Sequence, residues 1–83
     1  MRRYYFHVAD GYTSLDDSGT EFPTRDAVRN AAIKESGDIL RDGASAALWD
    51  GTPWRLWVTD QADGKGEVFC ELHFSAMKQA TRA

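Results

Sequence analysis

Three stretches of the chain alternate with period two and place large apolar side chains on both parities of the alternation. In residues 3–10, Tyr4, Phe6 and Val8 alternate with Arg3, Tyr5, His7 and Ala9. In residues 54–60, Trp54, Leu56 and Val58 alternate with Arg55, Trp57 and Thr59, and in residues 67–74, Val68, Cys70, Leu72 and Phe74 alternate with Glu67, Phe69, Glu71 and His73. Successive side chains of a strand point to opposite faces, so each stretch reads as a strand with one apolar and one mixed face. A fold built on them must cover one side of a sheet and account for rings on the other.

The cover comes from the segment after Pro23. Thr24 is an N-cap residue, and Asp26 falls in the first turn, where a carboxylate favours the helix dipole. At 100° per residue, Ala27, Val28, Ala31, Ala32, Ile39 and Leu40 share one arc, and Asn30, Lys34, Asp38 and Arg41 the opposite one. Gly37 marks a kink or an early end, and Asp42-Gly43 is the expected terminator. Residues 44–49 read as a short helical turn or packed loop before the break Asp50-Gly51-Thr52-Pro53. Asp10-Gly11 and Asp63-Gly64 are hairpin signals, residues 12–15 a short returning strand, and Asp16-Asp17-Ser18-Gly19 turn chemistry.

These elements predict an α+β, two-layer β-β-α-β-β domain: an antiparallel sheet with one long helix on one face. Its inner face carries Tyr4, Phe6, Val8, Leu56, Val58, Val68, Cys70, Leu72 and Phe74. The domain spans residues 1–76, with a polar tail at 77–83. A chain of 83 residues supports one domain of this size.

Composition narrows the function classes. Ten basic residues against 13 acidic ones give a net charge of −3, with no basic run longer than Arg2-Arg3. That balance opposes general nucleic-acid binding, which depends on clustered cations neutralising phosphates. Cys70 is the only cysteine, so an internal disulfide and a cysteine-rich zinc site are excluded. A reducing, cytoplasmic location is the expectation. No apolar run is long enough for a membrane span, and no apolar segment of signal-peptide length follows Arg2-Arg3.

The opposite sheet face is the candidate interface. It carries Tyr5, His7, Trp57, Phe69 and His73 beside Arg3, Arg55, Glu67 and Glu71. Large rings on a solvent-facing sheet mark a partner surface, so the leading expectation is a homodimer or a protein-docking module with Trp57 as anchor. The competing expectation is that residues 44–49 and the C-terminal tail fold over this face. A third is a weak single-stranded nucleic-acid binder that stacks bases on Tyr5, Trp57 and Phe69, against the charge of Glu67 and Glu71.

Catalytic and metal chemistry find little support. His7 and His73 with Glu71 make at best an incomplete zinc ligand set, and then only if their strands pair. The acidic clusters Asp60, Asp63, Glu67 and Asp16, Asp17, Glu21 lack EF-hand spacing. Cys70 points to the core, where a thiol is inert, with both histidines on the other face. No nucleophile elbow or phosphate-binding glycine loop occurs. The expectation is a non-enzymatic domain with no cofactor and no metal.

Tyr4-Tyr5-Phe6-His7, then Asp10-Gly11, Asp17-Ser18-Gly19-Thr20-Glu21-Phe22-Pro23, a helix with Ala27 and Ala31, Trp54-Arg55-Leu56-Trp57-Val58-Thr59-Asp60, Gly64 and a strand ending in Phe74-Ser75 occur in a distinctive order. In this the chain resembles an uncharacterised family of short bacterial proteins classed as a domain of unknown function, over roughly residues 2–76. The connection 42–53 is longer than is usual there. The resemblance implies a small α+β domain and carries over no activity, cofactor or functional residue.

Overall fold

A computed structural model describes residues 1–79, with the backbone alone for 43–46. The chain forms β1 (Arg2–Ala9), β2 (Thr13–Ser14), β3 (Thr20–Phe22), α1 (Arg25–Ile39), a π-helical turn (Leu40–Ala44), α2 (Ser45–Trp49), β4 (Trp54–Thr59) and β5 (Val68–Phe74). The strands make one five-stranded antiparallel sheet in the order β2-β1-β4-β5, and β3 also pairs with β1. The chain is therefore α+β.

The N-terminal hairpin differs from the expectation. Two short strands, not one, return along β1: β2 against Val8 and Ala9, β3 against Arg2 to Tyr4. Between them the ladder is interrupted at Phe6, whose backbone N–H is taken instead by a carboxylate oxygen of Asp16 at 3.1 Å. One side chain thus substitutes for a missing rung. Three residues are too few to display a period, which is why β3 has no sequence signal.

Thr24 caps α1 as expected, its Oγ1 accepting from the Ala27 N–H at 3.1 Å. The helix buries Val28 and Ala32 against Tyr4, Trp54, Leu56 and Val58, and Phe6, Val8, Leu72 and Phe74 pack around that cluster. Small side chains let the helix backbone approach the sheet closely.

The helical path does not stop at Asp42-Gly43. It widens by a π turn and runs on through α2. Gly51, with φ of 97°, is the actual terminator. There the Thr52 N–H bonds the Ala47 carbonyl at 3.0 Å and the Gly51 N–H bonds that of Leu48 at 3.2 Å, closing the helix end. Regular structure in the described residues ends at Phe74; of the predicted tail at 77–83, residues 80–83 lie outside the described residues.

Candidate functional site

The outer face is built as the alternation requires along β1 and β4. His7 pairs with Trp57, and Trp57 pairs with Glu71, so a row runs across three strands. The His7 and Trp57 rings lie 5.2 Å apart, and the Arg55 guanidinium sits 4.1 Å over the Trp57 ring. Arg55 Nε donates to Glu71 Oε1 at 2.6 Å, and His73 Nε2 lies 3.2 Å from the same oxygen. The guanidinium beside Glu71 holds its carboxyl below the ordinary glutamate range.

This row is not open to a partner at its centre. His7 is 0% exposed and Trp57 6%. The exposed aromatic patch expected at Tyr5, His7, Trp57, Phe69 and His73 is therefore corrected on two counts. Trp57 and His7 are covered, Tyr5 is half-buried, and of the five only His73 stands exposed. Phe69 is on the other face altogether. Val58 pairs with Cys70 while Thr59 pairs with Val68, so Phe69 is the extra residue of a β-bulge. The bulge breaks the alternation and turns the Phe69 ring to the helix side, edge-on to Tyr4 at 4.9 Å and beneath Arg2 and Arg25 at 5.1 Å each. Val68, assigned to the core by parity, is 43% exposed for the same reason.

The cover is made of two loops, neither of them anticipated. The segment Leu15–Gly19 crosses from β2 to β3, and Asp60–Glu67 joins β4 to β5. They meet over Trp57: its Nε1 donates to the Gly64 carbonyl at 3.1 Å, and Leu15 lies directly on Gly64. A Cβ at Gly64 would come within 2.9 Å of Leu15 Cδ2, and φ of 79° there favours glycine.

Asp16 fixes the first loop. Its backbone N–H donates to His7 Nδ1 at 3.1 Å, and its carboxylate accepts from the N–H groups of Phe6, Ser18 and Gly19 at 3.0–3.1 Å. Burial pushes this carboxyl up, but the amides of Gly19, Phe6 and Ser18 outweigh it and leave it below the ordinary aspartate value. Since Nδ1 of His7 accepts, its proton resides on Nε2, which donates to Thr59 Oγ1 at 2.8 Å. The Thr59 hydroxyl donates in turn to the Gln61 carbonyl at 2.6 Å. Burial lowers the His7 pKa, against the opposing pull of the Gln61 carbonyl and of Asp16 and Asp63. The arrangement is a saturated structural network that clamps both loops. Asp16 and Thr59, its essential partners, show in the sequence only as a turn residue and an outer-face polar residue.

The zinc alternative requires β1 to pair with β5. β4 lies between them, and no group of three or more His, Cys, Asp or Glu is placed to hold a metal among the described residues. In the acidic loop, Asp60 and Asp63 accept from the backbone N–H groups of Glu67 and Lys65, as turn residues do. No described helix is long and apolar enough to cross a membrane.

A different feature lies at the sheet margin. Among the described residues, β5 has β4 on one side and no strand on the other. Alongside it runs a groove of about 200 Å³ lined by Arg29, Ala32, Ile33, Cys70, Glu71 and Leu72. Ile33 is 59% exposed at its rim, and burial raises the Cys70 thiol pKa.

Searches of the curated proteins and of the solved structures matched nothing. The profile of one family, described as Domain of unknown function (DUF6894), matches residues 3–75, and the chain belongs to that family.

Proposed function

We propose that this domain is a non-enzymatic interaction module whose binding element is the free edge of β5, not the outer sheet face. One observation carries the reading: a strand that, among the described residues, has a neighbour on one side only borders an apolar groove against α1. Unpaired backbone N–H and C=O groups at such an edge accept a further strand, and an adjoining groove selects its side chains.

The two margins of the sheet contrast sharply. On the β1 side, the edge consists of β2 and β3, two and three residues long, and short edge strands discourage pairing. On the β5 side, Cys70–Phe74 follows the bulge as an uninterrupted stretch with no Pro, Lys or Arg to blunt it.

The nucleic-acid reading loses its platform of Tyr5, Trp57 and Phe69, since stacking needs exposed rings on one face: Trp57 is covered, Tyr5 is half-buried, and Phe69 is turned against Tyr4 on the helix side. A cytoplasmic location accompanies the proposal, on the strength of a single, unpaired and half-buried cysteine.

Selection of random displayed peptides against the full chain tests the reading. Binding peptides should be extended, should protect the amides of Cys70–Phe74 from hydrogen exchange, and should shift the Ile33 methyl resonances. Binders that map only to the outer face, or a selection that yields none at β5, would overturn it.

A further inference from the structure

The β5 edge is itself self-complementary, and this rests on the strand-addition reading above. Consider two copies of β5 laid antiparallel with a two-fold axis through Leu72. Directly opposed residues then share a face. On the helix side Leu72 meets Leu72, and Cys70 meets Phe74 in both directions. On the outer side Glu71 meets His73 in both directions. Every opposed pair in the stretch is apolar with apolar or carboxylate with imidazole.

The neighbouring register is worse. An axis through Glu71 would oppose two carboxylates directly, which destabilises a ladder. The side chains already present prepare the favoured one: within one chain, His73 Nε2 reaches Glu71 Oε1 at 3.2 Å, and Arg55 holds that carboxylate from β4. A second strand in register 71–73 places an additional imidazole beside the same carboxylate. On the helix side, the groove walls of Ala32, Ile33 and Leu72 in the two copies face one another across the axis.

We propose that the partner strand is β5 of a second copy of this chain, joined antiparallel about Leu72 to make one continuous sheet with Ile33 of both copies closing the grooves. The isologous contact caps the only long free edge among the described strands and leaves none to propagate.

Sedimentation equilibrium of the full chain and register-specific crosslinking test it together. The parent chain should show a monomer–dimer equilibrium, and His73→Glu should weaken it by about tenfold or more by opposing like charges. In a Cys70→Ala background, Glu71→Cys protein mixed with His73→Cys protein should give a disulfide-linked heterodimer on oxidation. Neither variant alone should, since identical positions are offset by two residues and lie beyond disulfide reach. Both substituted positions are exposed, so folding is retained. A dimer that crosslinks through Glu71→Cys alone would overturn the register. A strict monomer at several hundred micromolar would overturn self-pairing; if it still binds extended peptides at β5, the strand-addition reading survives, and if it does not, both fall.

Discussion

His7 Nε2 and Thr59 Oγ1 lie 2.8 Å apart, both side chains completely buried, on adjacent strands and on a sheet face that two-layer domains commonly leave to solvent. The contact is the inner end of a chain of hydrogen bonds that reaches Asp16 on one side and Gln61 on the other. The loop at Asp16 is thereby tied to the imidazole directly, and the loop at Gln61 through the Thr59 hydroxyl that the imidazole contacts.

Acid should loosen this closure. Burial disfavours a charged imidazole and holds the His7 pKa below the ordinary histidine value, and a proton on Nδ1 would also displace the Asp16 N–H. Between that lowered value and about pH 6.5 the unfolded chain binds more protons than the native one. The His7 contribution is thus complete above the ordinary value and declines as pH falls through this window. Denaturant midpoints measured from pH 7.5 to 5 should fall accordingly, and His7→Gln should flatten the slope over that range. An unchanged slope in His7→Gln would contradict the network.

Asp16 answers to a lower window. Its depressed carboxyl stabilises the fold above the ordinary aspartate range and loses that contribution as pH falls through its folded value. At neutral pH, Asp16→Ala leaves the N–H groups of Phe6, Ser18 and Gly19 without their acceptor. The expected loss is about 2–3 kcal/mol, the scale of unmade hydrogen bonds to a charged, half-buried group. Asp16→Asn should lose less, since one oxygen remains to accept from Ser18 and Gly19. Urea titration of the two variants checks the order.

Two glycines should respond in opposite directions to alanine. At Gly19, φ is 72° and an added Cβ would lie 2.8 Å from both Arg3 Cγ and Tyr5 Cε2. Gly19→Ala is expected to cost more than about 1 kcal/mol from backbone strain, with crowding in addition. Gly37 sits inside α1, and a methyl group added there would have nothing within 4 Å. Gly37→Ala should stabilise by about 0.5–1 kcal/mol. Thermal unfolding of the two variants, shifted down and up respectively, is the check.

Legibility varies with the length of the signal. β1, α1 with its Thr24 cap, and β4 each extend over enough residues to show a period, and the α+β reading follows from them. Three features escape. The bulge at Phe69 exchanges two faces without any change in composition, because strand alternation carries no mark of where it is interrupted. The π turn carries the helix past Asp42-Gly43, the expected terminator, because Gly43 tolerates helical as well as left-handed backbone. The burial of His7 and Trp57 depends on Asp16, Leu15 and Gly64, which come from two turns remote in sequence and meet only in the folded chain. The free β5 edge, by contrast, follows from strand order, which no local pattern encodes.

Whether the outer face is a closed interior or a docking surface is decided most directly by the unfolding free energy of Trp57→Ala. Trp57 is 6% exposed, with its Nε1 held by the Gly64 carbonyl. As an interior residue it should cost about 3–5 kcal/mol on truncation. A variant within about 0.5 kcal/mol of the parent, the range of an ordinary surface substitution, would contradict the account.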